Sequence, residues 1–155
     1  SVRERRRPQP LFHAALEVAA DGSTYAIEMT PSWGQGRSER GVVAEGPVGL
    51  RVLGRLKLFR YEVRCWRGGV IPDLGYAPEP PLVFNVSTSG ADALRARVPQ
   101  VPDMVWGAKM PDGDMWNSNS LVSWLLQSSG IDAGALHPPQ GGRAPGWRAG
   151  IDAAR

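Results

Sequence analysis

The segment SLVSWLLQSSG, residues 120–130, constrains the fold more than any other part of the chain. Leu121, Val122, Trp124, Leu125 and Leu126 leave a helix there with almost no polar stripe. A helix that is apolar all round has to be covered on every side, so it belongs at the centre of the molecule. Gly130 supplies its stop. What covers it has to come from elsewhere in the chain, and the pattern upstream is that of strands.

The stretch LKLFRYEVRCW alternates with period two. Phe59, Tyr61, Val63 and Cys65 fall on one face, and Leu58, Arg60, Glu62, Arg64 and Trp66 on the other. Residues 11–29 read as a hairpin: LFHAALEV, an Asp21-Gly22 turn, then TYAIEM. In the first strand His13, Ala15 and Glu17 share a face. In the second, Tyr25, Ile27 and Met29 lie opposite Ala26 and Glu28. Residues 30–47 are Gly-rich loop with a short strand near 41–45. LVFNVS, residues 82–87, follows a stiff APEPP loop as a further short strand. Ser89 is placed to cap a helix over GADALRARV, with Leu94 and Val98 four residues apart.

These elements predict an α+β fold, a small antiparallel sheet packed against the buried helix at about residues 119–129, with the Tyr61 face towards it. Residues 1–10, SVRERRRPQP, read as a mobile arm, residues 11–130 as one globular domain, and residues 131–155 as a Gly/Pro-rich tail packing on the surface. A chain of 155 residues is long enough for a core without staples.

Composition narrows the function classes. No apolar run approaches a membrane span. The run Arg5-Arg6-Arg7 is not followed by an uncharged apolar stretch, so no signal peptide is visible and a cytoplasmic location is expected. One cysteine excludes an internal disulfide and any zinc site of several thiolates. The net charge of +3 is small, and only Lys57 and Lys109 are lysines. The arginine surplus, with its Ala, Gly and Pro, fits GC-rich coding, so the sequence carries no strong nucleic-acid signal. His13 and His137 with Asp112 and Asp114 match no metal-site spacing, and DGD reads as a turn. GQG and GGRAPG lack the strand–loop–helix context of a phosphate cradle. No metal and no cofactor are expected. Of the six tryptophans, Trp33 and Trp147 are the expected exposed ones, and Cys65 is expected buried and inert.

The start of the buried helix carries the chemistry. Trp116-Asn117-Ser118-Asn119-Ser120 sets small polar residues where backbone N–H groups lack intrahelical partners. Asn and Ser are strong N-caps, and capping by Asn117 or Ser118 explains part of the pattern. Two Asn and two Ser exceed what one cap needs. A hydroxyl in that place sits beside free donors that can hold an oxyanion.

An early His opening a strand, a polar partner on the next strand and a late nucleophile between asparagines resemble the circularly permuted papain-like proteins. That group includes NlpC-type hydrolases and lecithin:retinol acyltransferase-like enzymes. The resemblance implies His13 as base, Glu28 as orienting acid and Ser118 at the nucleophile position, where the family has Cys. Trp116, Asn117 and Asn119, flanking the serine, would then line the substrate site. It implies a hydrolase or acyltransferase acting on an amide or ester, with a peptide, ester or protein as partner. The Ser in place of Cys equally fits an inactive relative, a binding or scaffold subunit using the Arg/Trp-rich loops. The stretch from GRLKLFRYEVRCW to MWNSNS also resembles a group of actinobacterial proteins, which adds no function.

Overall fold

The computed structural model describes residues 11–32, 41–71, 79–111, 113–139 and 142–155. The expected arm and Trp33 lie outside them. The fold is α+β, a four-stranded antiparallel sheet with three helices. Strands β1 (Leu16–Ala20), β2 (Ser23–Pro31), β3 (Val42–Pro47) and β4 (Arg60–Arg67) lie in the order β1-β2-β4-β3. The helices are α1 (Thr88–Arg97), α2 (Ser118–Ser128) and α3 (Trp147–Ala153).

The β1–β2 turn forms where the Asp21-Gly22 pair predicts it. Both residues have positive φ, 50° and 71°, and Ala20 pairs with Ser23 across them. That is the two-residue turn whose twist matches the strands it joins. The first strand is shorter than expected. It starts at Leu16, so His13 lies ahead of the sheet in an irregular segment.

One sheet face meets α2. Ile27, Met29, Tyr61 and Val63 pack with Leu121, Trp124, Leu125 and Trp116 in a single cluster. Ala91, Leu94 and Val98, in and just after α1, close the same core. Ser87, rather than Ser89, caps α1: its Oγ accepts from Gly90 N at 3.1 Å. The opposite face is not the solvated, charged surface that alternation suggests. Glu62 is fully buried, and Arg64 donates to Glu62 at 2.6 Å and to Glu28 at 3.4 Å. A carboxylate with so little access to water needs such a partner.

Residues 82–87 do not form the expected strand. Leu82, Val83 and Val86 are exposed, and residues 82–86 make no backbone hydrogen bond among the described residues. β-Branched composition favours a pleated, half-buried surface, but no sheet edge pairs with this run.

The C-terminal segment goes deeper than a surface wrap. It covers the side of α2 turned away from the sheet, where Val122 and Leu126 meet Ala133 and Ile151. Helix α3 crosses α2 at Gly150, where a Cβ would collide with the Ser120 carbonyl oxygen and Ser123 Oγ. Ser120 and Ser123 donate to the Gly146 and Trp147 carbonyls, both at 2.7 Å. Trp147, expected exposed, is half-buried and donates its indole N–H to Ala133 O. Thus every residue from Ser118 to Leu126 is buried. Among the described residues no helix is long and apolar enough to cross a membrane.

Candidate functional site

The four polar residues at the start of α2 divide their work. Asn117 is the N-cap, and with Ser120 it closes a capping box: Asn117 accepts from the helix and its own N–H donates to Ser120 Oγ at 3.0 Å. The other end of its carboxamide donates to Pro145 O at 2.9 Å. Gly146 is required beside it: φ is +89°, and a Cβ there would collide with Asn117 Oδ1. Asn119 reaches outwards. Its Oδ1 accepts from Ala14 N at 2.7 Å, and its Nδ2 donates to Phe12 O and Pro145 O, each at 2.9 Å. The amide mimics a strand partner and holds the chain on both sides of position 13.

Ser118 is left facing the residue so held. Its Oγ lies 2.8 Å from His13 Nδ1, and this is its one side-chain hydrogen bond among the described residues. The two are 105 positions apart. Ser118 is 6% exposed, while His13 is exposed. When Nε2 carries the ring proton, Nδ1 accepts from the hydroxyl and can take its proton. Ser118 is the first residue of the helix, so its amide has no intrahelical partner, whereas Asn119 N donates to Asn117 Oδ1 at 2.9 Å. A hydroxyl, an imidazole and one amide without an intrahelical partner therefore meet at one helix end.

Glu28 is not brought to this group. It is held by Arg64 at 3.4 Å and shares no hydrogen bond with His13 among the described residues. The hairpin register gives the reason. Pairing ends at Leu16 opposite Ile27, so His13 lies beyond the paired strand and the carboxylate stays over the sheet. Trp116 is fully buried in the core cluster, and its ring is unavailable to a ligand. Asn117 is committed to the cap. Of the three expected lining residues, Asn119 borders the cavity beside His13, and Trp116 and Asn117 do not.

That cavity, of about 120 Å³, lies beside His13 and is walled by Phe12, Leu136, Pro138, Ala144 and Trp147. His137 lines it too, so both histidines of the chain share it. Asp114, weighed with them as a ligand, accepts from Gly146 N at 2.8 Å and Arg148 N at 3.1 Å at the start of α3. No group of three His, Cys, Asp or Glu side chains that could hold a metal gathers among the described residues. A larger cleft, about 440 Å³, opens between the β1–β2 turn and the start of α1. Asp21 is its one ionisable residue, and it offers no nucleophile–base pair.

Two ionisable groups outside the site are perturbed. Burial pushes the Tyr61 hydroxyl up to about 12, while it donates to Met104 O at 2.7 Å. Burial also raises the half-buried Cys65 thiol, with Arg95 opposing, which makes it a poor nucleophile.

Reasoning from sequence missed the part of residues 131–147. The Pro145 carbonyl anchors both asparagines, and Leu136, Pro138 and Trp147 wall the cavity. Their Gly/Pro density reads as a tail, and nothing local signals that they close a site. Comparison with protein-family models, with curated proteins and with solved structures finds no match.

Proposed function

We propose that this chain performs acyl transfer, as a hydrolase or acyltransferase on an ester or amide, on an arrangement similar to that of the permuted papain-like proteins. The observation that carries the reading is the 2.8 Å contact between Ser118 Oγ and His13 Nδ1, made by residues far apart in sequence and held by Asn119. In the proposed step His13 Nδ1 removes the hydroxyl proton as Oγ attacks the substrate carbonyl carbon. The carbonyl oxygen takes up the electron pair, and the free Ser118 amide lies where it can stabilise that oxyanion. Collapse expels the alkoxide or amine, which receives the proton from the imidazolium. Water or an acceptor alcohol or amine then releases the acyl group by the reverse sequence. Among the described residues no carboxylate bonds to the ring, so Asn119 takes the positioning part through the backbone.

A second reading is a binding module on the same fold. It is favoured by the serine standing where the resemblance has cysteine, and by the commitment of Glu28 to Arg64. A fluorophosphonate probe separates the two. The acyl-transfer reading expects a covalent adduct mapped by mass spectrometry to Ser118, abolished by Ser118→Ala and slowed at least about a hundredfold by His13→Ala. A folded wild-type protein that forms no adduct at Ser118 leaves the binding reading in its place.

A further inference from the structure

Between β3 and β4 the chain makes two 3₁₀ turns, Arg51–Arg55 and Lys57–Phe59. They are ordered by their own backbone: Leu53 N donates to Leu50 O, Leu56 N to Leu53 O and Phe59 N to Leu56 O. Val48 N donates to Phe59 O at 2.8 Å and closes the base, and Arg51 is tied to Asp103 at 3.0 Å. Yet the apolar side chains point out. Leu50, Val52, Leu56 and Leu58 are 63%, 72%, 57% and 71% exposed. Single exposed leucines need no explanation, but four within nine residues on an ordered projection form a patch that calls for a partner.

The chemistry of the patch discriminates between partners. Protein interfaces draw their binding energy from Trp, Tyr and Arg anchors, with Leu and Val under-represented and Lys depleted. Here the exposed apolar residues are all Leu or Val. Between Glu45 and Glu62 there is no acidic residue, while Arg51, Arg55, Lys57 and Arg60 are interleaved with the apolar ones. Arg51 and Arg60 are matched by Asp103 and Glu45, while Arg55 has no ion pair among the described residues. Aliphatic residues interleaved in sequence with basic ones suit the boundary between acyl chains and anionic headgroups.

We propose that the 50–58 projection docks this protein on an anionic lipid surface, Leu50, Val52, Leu56 and Leu58 entering the interface and Arg55 meeting the headgroups. This association is peripheral and independent of the chemistry at Ser118.

The test is co-sedimentation of the full chain with liposomes of phosphatidylcholine alone and of phosphatidylcholine mixed with phosphatidylglycerol. The protein is expected to bind the mixed vesicles in preference and to be released by salt. Leu56→Ser/Leu58→Ser is expected to weaken binding at least about tenfold through lost apolar burial. Arg55→Ala is expected to weaken it about fivefold. The Arg5-Arg6-Arg7 run could hold anionic vesicles by charge alone, and the leucine variants separate that contribution. As a second measurement, Leu58→Cys in a Cys65→Ser background, labelled with a polarity-sensitive fluorophore, should shift to the blue when mixed vesicles are added. No binding to mixed vesicles, equal binding to both kinds, or binding indifferent to the leucine substitutions with an unshifted fluorophore overturns the proposal. Self-association that the leucine variants disperse, without vesicle binding, assigns the patch to a second copy and overturns it too.

Discussion

Asn119 controls His13 without a side-chain bond between them: its carboxamide accepts from Ala14 N–H and donates to the Phe12 carbonyl, one on each side of the histidine. His13 is beyond the paired part of β1, so the sheet alone would not fix its ring against Ser118. Asn119→Ala is expected to slow fluorophosphonate labelling of Ser118 at least about tenfold, since misplacement of a base costs rate steeply. Stability should fall by about 1–3 kcal/mol for the hydrogen-bonding groups left unmatched. Labelling equal to wild type would show that His13 finds its place without Asn119.

Asn117 and Ser118 are adjacent and should differ in a thermal melt. Asn117 caps α2, so Asn117→Ala is expected to cost about 1–2 kcal/mol. Ser118 makes no cap, and Ser118→Ala is expected to stay within about 0.5 kcal/mol of wild type. Equal losses for the two would return Ser118 to a structural role.

Ser118→Cys offers a thiol at a helix start beside an imidazole, a setting that favours the thiolate. Cys65 is the internal reference, its thiol raised by burial. Iodoacetamide should alkylate position 118 faster than Cys65 near neutral pH, and His13→Ala added to Ser118→Cys should remove most of the difference. Slow, equal labelling at both positions would count against any thiol-enzyme likeness.

Tyr61 predicts a loss of stability in alkali. Its hydroxyl is held near 12 in the folded chain against an ordinary value of 10. Between those values the unfolded chain has released the proton that the folded chain still binds, so unfolding is favoured as pH rises. The contribution is fully present below pH 10 and is lost on passing through 12, roughly 2–3 kcal/mol over the interval. Tyr61→Phe should be less stable at neutral pH, for want of the bond to Met104 O, and should close the gap above pH 10. Parallel denaturation curves across pH 8–12 would remove this account.

Gly150 tests the part played by the C-terminal segment. A methyl group there would overlap backbone and side-chain atoms of α2, so Gly150→Ala is expected to cost about 3 kcal/mol or more, read from denaturant midpoints. Arg148→Ala, on the exposed side of the same helix, should change stability by less than about 1 kcal/mol. A mild effect of Gly150→Ala would mean that α3 can lift from α2 freely.

Local chemistry by itself determined the elements that are dictated locally. Asp21-Gly22 specifies its turn because few residue pairs accept two positive φ values. The apolar run 121–126 specifies a covered helix, and the alternation around Tyr61 specifies β4. The pairing of His13 with Ser118 was legible only through a resemblance, because hydrogen bonding between residues 105 positions apart leaves no periodicity in either segment. Only the tertiary structure decided where Glu28 goes: register sets it opposite Arg64, and a strand that stops at Leu16 leaves His13 beyond its reach. Only the tertiary structure, too, made residues 131–155 a wall of the site. A Gly/Pro-rich segment has no pattern of its own and takes its shape from the α2 surface it covers, through the carbonyls of Pro145, Gly146 and Trp147. Residues 82–87 show the converse: strand composition was present and no edge paired with it, because a strand needs a neighbour that composition cannot supply.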